Sequence, residues 1–314
     1  MRILVVGAGA IGGYFGGRLL EASRDVTFLV RPRRAAQLLK TGLAIRSSFG
    51  DLALPAPPTI AAEALREPAD LILLNVKAYD LEAAAASFAP AVGPTTAILP
   101  LLNGMGHLDF LNARFGARAV LGGLCVISAT LDAEGRILHL NDSHLLAFGE
   151  QDGSPSARCE AIAATFAGAR FESRPSRSIL QEMWEKWVLI ATTAGINCLM
   201  RANVGDIVAA GGTDLAVELL DECAAIAARH GFSPGAPSLE RTRKLVTTPG
   251  SSFAASMLRD IERGAPIEAD HIVGDLLRRG GGNTAAYPLL RIVAAHLKAY
   301  EARRAREQAV SRAA

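Results

Sequence analysis

The sequence predicts an α/β Rossmann domain with a mostly parallel sheet, followed by an all-α C-terminal domain. Three observations carry that prediction. A glycine-patterned turn, Gly7-Ala8-Gly9-Ala10-Ile11-Gly12, joins an apolar run to a helical one near the N-terminus. Short apolar runs then alternate with helical stretches, the rhythm of βα units in a parallel sheet. Beyond Pro175 the strand pattern stops, and helical stretches separated by glycine and proline breaks take over. The 314 residues therefore divide into a dinucleotide-binding domain, 1–175, and a helical domain, 176–314.

Taken in order, residues 2–6 read as the first strand, 11–23 as a helix and 26–30 as the second strand. Residues 71–76 are a continuous apolar run, as a strand buried on both faces requires, and 97–102 repeat it. Residues 121–130, 137–140 and 145–149 read as further strands about a turn at Ala133-Glu134-Gly135. Ser154-Pro155 opens a helix to about Ala167, with a short strand at 170–173 behind it. In the second half, helices are predicted over 178–200, 213–230, 238–246, 253–263, 268–279 and 285–304.

Composition narrows the class. Half of the residues are apolar and a fifth are charged, the balance of an ordinary globular enzyme. A net charge of +2 offers nothing for nucleic acid. Arg303, Arg304, Arg306 and Arg312, diluted by Glu301 and Glu307, read as a solvated helix end. Met1-Arg2 runs directly into a strand, without the segments of a signal peptide. The longest uncharged stretch, 83–108, is broken by Pro90, Pro94 and Pro100 and does not make a membrane helix. A cytoplasmic protein without membrane or nucleic-acid partners is expected. Cys125, Cys159, Cys198 and Cys223 form no CxxC pair and are expected to be reduced and buried. The six histidines show no metal-ligand spacing, so no metal is expected.

The glycine turn has a chemical reading. Gly7 permits the tight turn, Gly9 lets backbone approach a pyrophosphate, and Gly12 lets helix pack on strand. Ala10 and Ile11 open a helix whose unpaired N–H groups and positive dipole end face the phosphates. The end of the second strand decides which dinucleotide. NAD enzymes usually carry a carboxylate there, for the ribose 2′-hydroxyl. This chain reads Val30-Arg31-Pro32-Arg33-Arg34. An arginine binds a 2′-phosphate through charge-assisted hydrogen bonds. NADP (as NADPH) is therefore the predicted cofactor, with Arg31 as the reader and Arg33 and Arg34 as helpers. Lys77 follows the strand at 71–76 and is placed to contact a cofactor phosphate. Asn103 opens Asn103-Gly104-Met105-Gly106 after the next strand, placed for the nicotinamide ribose or the substrate.

The glycine turn, Arg31, Val76-Lys77-Ala78 and Asn103-Gly104-Met105-Gly106 together resemble the ketopantoate reductase (2-dehydropantoate 2-reductase) family. Trp184-Glu185-Lys186, Ser256-Met257 and Pro266-Ile267-Glu268-Ala269-Asp270 extend the resemblance through the second half. It implies NADPH-dependent reduction of ketopantoate to pantoate, a step toward pantothenate and coenzyme A. It also implies a Rossmann domain plus a helical one. Residue by residue it makes Lys186 the proton donor and Asn103 a contact to cofactor and substrate. It makes Ser256 the holder of the substrate carboxylate, and Glu268 a partner of the cofactor ribose or the substrate hydroxyl. A lysine suits reduction of a ketone, because charge builds on the carbonyl oxygen and an ammonium both stabilises it and supplies the proton.

One departure bears on the substrate. The family usually has asparagines one and two helical turns after the lysine, where this chain has Ile190 and Ala194. Two alternatives follow: a family member acting on a different keto substrate, and a non-catalytic NADP-sensing protein. The expected partner is a small keto acid. The apolar helical half is suited to a homodimer.

Overall fold

Four apolar residues ending at the glycine turn form β1 (Ile3–Val6), and the turn leads into α1 (Ala10–Glu21). The computed structural model describes residues 1–282 and 284–313; the side chain of Arg312 lies outside the described residues. Contacts divide the chain into two units. The first is Met1–Leu102 with His107–Leu180, and the second is Asn103–Gly106 with Gln181–Ala314.

In the first unit, β2 (Val26–Leu29), α2 (Pro32–Thr41), β3 (Leu43–Arg46), β4 (Leu52–Leu54) and β5 (Thr59–Ile60) follow α1. Then come β6 (Leu71–Leu74), α3 (Leu81–Phe88), β7 (Ala97–Pro100) and α4 (Gly106–Phe115). The unit ends with β8 (Gly122–Leu131), β9 (Ile137–Gly149), α5 (Ala157–Phe166) and β10 (Glu172–Pro175).

Strands β5-β2-β1-β6-β7 make one sheet, parallel throughout. All four residues of β1 and of β6 are buried, which is why those runs are apolar without alternation. Val6 lies beside Leu29 and Leu74, so the carboxyl ends of β1, β2 and β6 share one edge. The strand order reverses at β1, the place where open α/β sheets bind ligands.

The second sheet runs β10-β9-β3-β4, with β8 also on β9. It is mixed: β8 runs antiparallel to β9 and β4 antiparallel to β3, whereas β3 and β10 join β9 in parallel. The expected strands at 137–140 and 145–149 are one strand, β9, whose pairing with β8 shifts register between Ile127 and Ala129. The helix α1 packs between the two sheets, and its glycines show how. A Cβ at Gly16 would come within 2.6 Å of the Phe28 ring, and one at Gly13 within 2.6 Å of Ile137. Side chains on either face would push a sheet away.

Behind α1 the Tyr14 hydroxyl and His144 Nδ1 are hydrogen-bonded at 2.8 Å, both buried. Burial, aided by nearby His139, holds the His144 imidazole below its usual 6.5. The unfolded chain takes up that proton near pH 6.5 and the folded chain at a lower pH. This contribution to stability is thus complete above pH 6.5 and is lost as the pH falls toward the folded value. Thermal midpoints measured at pH 7.5 and 5.5, values that straddle the histidine range, are expected to fall on acidification by about 1–2 °C more in the parent than in His144→Asn. Equal falls in both proteins would reject the assignment.

The second unit is helical. Its helices are α6 (Ile179–Met200), α7 (Val204–Ala209), α8 (Thr213–Arg229), α9 (Ala236–Thr247) and α10 (Ser256–Glu262). A π-helical turn, Asp270–Gly274, runs directly into α11 (Asp275–Arg279), and α12 (Pro288–Ala313) closes the chain. The uninterrupted α-helix expected over 268–279 is therefore corrected to a π turn followed by one short α-helix. The α6 stretch from Ala191 to Cys198 is wholly buried. Its Thr192 and Thr193 hydroxyls donate to the carbonyls of Val188 and Leu189, each at 2.8 Å, so neither is left unpaired. The carboxylate of Glu222 accepts from the Leu289 and Leu290 N–H groups at 3.0 and 2.8 Å, capping α12 from α8.

Among the described residues, no helix is long and apolar enough to cross a membrane. The four cysteines are buried and no disulfide joins them. Burial pushes the Cys198 and Cys223 thiols up to about 12. The native protein is expected to leave all four unmodified by a thiol reagent such as DTNB, and the denatured protein to titrate as four. Rapid labelling of the folded chain would contradict this burial.

Candidate functional site

The first unit supplies an anion cradle. Gly7 has φ +93°, the left-handed region, and its N–H bonds the Leu29 carbonyl at 3.0 Å. Gly9 is the N-cap of α1 and leaves that helix end without a side-chain cap. A Cβ built on Gly9 meets nothing within 4 Å, whereas one on Gly12 would lie 2.1 Å from the Gly7 carbonyl oxygen. The turn is thus closed toward the protein and open toward solvent. No acidic residue occupies the first turn of α1, where Ala10 and Ile11 are half-buried. Backbone N–H groups, a helix dipole and free space fit a dinucleotide pyrophosphate.

Arg31, at the end of β2, is the N-cap residue of α2 and lies exposed. Its Nη2 donates to Asp80 Oδ1 at 2.6 Å. Lys77, exposed past the end of β6, accepts the Asp80 N–H on its carbonyl at 2.8 Å and so forms the turn that brings Asp80 to Arg31. Arg34, expected as a helper of Arg31, is committed elsewhere. Its Nε donates to the Ala8 carbonyl at 2.9 Å and its Nη1 to Gln37 Oε1 at 2.7 Å. It fastens the glycine turn to α2 from below. The glycine turn, Arg31 and Lys77 share the carboxyl edge of β1, β2 and β6.

The second unit holds Lys186, Asn103, Ser256 and Glu268. Lys186 is half-buried on α6 and makes no hydrogen bond or ion pair among the described residues. The neighbouring Glu185 carboxylate is taken instead by the Gly235 N–H at 2.9 Å and Gln181 Nε2 at 3.1 Å. One turn on from the lysine lies half-buried Ile190, and a turn further buried Ala194. Ser256 is the exposed first residue of α10. Asn103 and Glu268 are half-buried, and both act on His271. Burial lowers the His271 imidazole below its usual value, and the Glu268 charge and a backbone hydrogen bond at Asn103 oppose that fall.

Sequence reasoning missed one residue of this unit and set another aside as off the register of the family's asparagines. One is His271, three residues after Glu268. The other is Asn197, fully buried on α6. The Asn197 Nδ2 donates to the Ala202 carbonyl at 2.8 Å, and its Oδ1 accepts the Ala255 N–H at 3.0 Å. This one amide fixes the residue before Ser256 to the helix that carries Lys186. The signal was an asparagine in an otherwise apolar run, eleven residues or about three turns past the lysine and so on its face.

Comparison with known proteins agrees over both units. The family pattern described as Ketopantoate reductase PanE/ApbA matches residues 3–153, and its C-terminal counterpart matches 178–301. An uncharacterized oxidoreductase of Bacillus subtilis, YkpB, is 38% identical over 304 residues, covering 96% of this chain and 99% of that protein. A 2-dehydropantoate 2-reductase of Archaeoglobus fulgidus is 29% identical over 280 residues, covering 89% of this chain and 90% of its own. Among solved structures, a 2-dehydropantoate 2-reductase from Geobacter metallireducens superposes with a TM-score of 0.85 at 28% identity. That match covers 95% of this chain and 99% of the other.

Proposed function

The chain belongs to the ketopantoate reductase family, a family of oxidoreductases, and on that premise we propose that it reduces a 2-oxo acid with NADPH, ketopantoate to pantoate foremost. The observation that carries the proposal is Lys186, an ammonium on a largely buried helix with no carboxylate paired to it among the described residues. Such a cation is held ready for charge that develops only during reaction.

In this reading the glycine turn and the N-terminus of α1 bind the pyrophosphate, Arg31 the 2′-phosphate, and Lys77 a further phosphate oxygen. The nicotinamide supplies the hydride. As the keto carbon accepts it, the carbonyl pair moves onto oxygen, and the Lys186 ammonium gives that oxygen a proton. Ser256 holds the carboxylate, and Asn103 and Glu268 orient the reacting groups. We also propose cytoplasmic residence and a homodimer, for which light scattering at the mass of a single chain would be contrary.

Ile190 and Ala194 support a second reading within the same chemistry. They make the face of α6 beside Lys186 apolar, which favours a 2-oxo acid with a hydrocarbon side chain over one with a hydroxyl. The deciding experiment is NADPH oxidation against a panel of 2-oxo acids that includes ketopantoate and branched-chain and aromatic analogues, with NADH as control. Turnover of ketopantoate supports the first reading. Turnover of an apolar analogue alone supports the second. Absence of turnover with every acid would defeat both and leave an NADP-binding protein.

A further inference from the structure

Glu268, the Asn103 loop and the helix that carries Lys186 all reach one short segment, the π turn Asp270–Gly274. Glu268 lies two residues before it. The loop that begins at Asn103 lies against it: Gly104 has φ +80°, and a Cβ there would stand 3.0 Å from the His271 carbonyl oxygen. From the other side, the indole of Trp187, next in sequence to Lys186, donates its Nε1–H to the Ile272 carbonyl at 2.8 Å. Trp187 is fully buried, and Trp184 packs against it. Isolated π turns inside helices concentrate at functional sites.

We propose that this π turn is the gauge that sets Lys186, Glu268 and Asn103 in register, and that Trp187 is a positioning residue acting through its indole N–H. The inference rests on the assignment of Lys186 as proton donor. Three chain segments that are far apart in sequence meet at two successive carbonyl groups of this turn, those of His271 and Ile272. The Asn103 loop can lie on the π turn only because Gly104 lacks a side chain. The turn is held to α6 by a bond whose donor stands one residue from the lysine. A helix face alone lets a neighbouring helix slide. A hydrogen bond from a buried indole to one named carbonyl does not, because slippage leaves both groups unpaired in an apolar setting.

The test replaces only that bond. Trp187→3-benzothienylalanine, introduced by nonsense suppression, keeps the shape and exchanges the N–H for sulfur. The substrate is ketopantoate or whichever 2-oxo acid of the panel the parent turns over fastest. The expected result is a fall in kcat of about ten- to hundred-fold, the scale of a misplacement of up to about 1 Å. The KM for NADPH should stay within about two-fold, and the isotope effect on kcat with 4-deuterated NADPH should rise as the chemical step becomes limiting. Unchanged kcat in this variant, with Lys186→Ala inactive, would overturn the positioning role while sparing the lysine. Full activity of Lys186→Ala would instead remove the reading on which the inference rests. A variant that loses turnover, NADPH affinity and folded fraction together would overturn it as well, since that is a structural role alone.

Discussion

Lys186→Ala is expected to cut kcat by about 10²- to 10⁴-fold, the range associated with a positioned general acid. NADPH binding should be retained, because the residues assigned to the pyrophosphate and the 2′-phosphate belong to the first unit. The fold should be retained too. The lysine breaks no ion pair when removed, since none is made among the described residues. Alanine is also the strongest helix former, so α6 is not weakened, and stability should change by less than about 0.5 kcal/mol. Kinetics and a thermal melt on the same preparation separate the outcomes. Lost turnover with an unchanged melt and an unchanged NADPH dissociation constant is the expected pattern. Turnover within about three-fold of the parent would remove Lys186 from the chemistry. Lys186→Met serves as a control for bulk, because it fills the same space without the charge.

The parallel sheet was legible because burial on both faces leaves runs such as Leu71 to Leu74 no room for a polar residue. The second sheet was harder to read. Its β3 and β4 are four and three residues long, too short to display an alternation, and they acquire strand geometry from pairing with each other and with β9. The division of β9 into two expected strands has a similar origin. Asn141, Asp142 and Ser143 look like a turn, yet Asn141 accepts the Ser128 N–H at 2.8 Å across the hairpin and Ser143 donates to the Val126 carbonyl at 3.0 Å. Tertiary pairing overrode local propensity.

The site was legible where chemistry demands a special backbone or a special charge. Gly7, Gly9 and Gly12 announce themselves by their spacing: Gly7 holds a left-handed φ and Gly12 has no room for a Cβ, whereas Gly9 borders open space. Lys186, Ser256 and Glu268 came from resemblance, because a lone lysine, serine or glutamate on a helix says nothing by itself. The contacts of Arg34 were hidden from the sequence: a cation in a cofactor loop and a cation fastening that loop to a neighbouring helix look alike until the carbonyl it serves is known. The roles of Asn197 and His271 were hidden for the same reason, because their partners, Ala255 and Asn103, are brought to them only by the fold.

Arg31→Ala should change the choice of cofactor. Two charge-assisted hydrogen bonds to a 2′-phosphate contribute about 1.5–3 kcal/mol each in buried settings. The guanidinium here is exposed and screened by salt, so the two bonds together fall below that range, and the expected loss in NADPH affinity is about ten- to thirty-fold. NADH, which has no 2′-phosphate, should bind within about two-fold of its parent value. Asp80 does not prevent this role. An exposed pair of this kind contributes about 0–1 kcal/mol, less than a phosphate dianion gains. The carboxylate instead holds the guanidinium in place at the carboxyl end of β2 when no phosphate is bound. Asp80→Asn then gives the argument a second direction. With the competing carboxylate neutralised, NADPH should bind equally well or up to about five-fold more tightly, and the gain should shrink in high salt. Arg31→Ala losing NADPH and NADH affinity in equal measure would mean that the arginine shapes the loop and does not read the phosphate. The selectivity would then have to reside in Arg33 or in backbone groups at the start of α2. A ratio of NADPH to NADH affinity that collapses in Arg31→Ala and holds or rises in Asp80→Asn would fix the reader at Arg31.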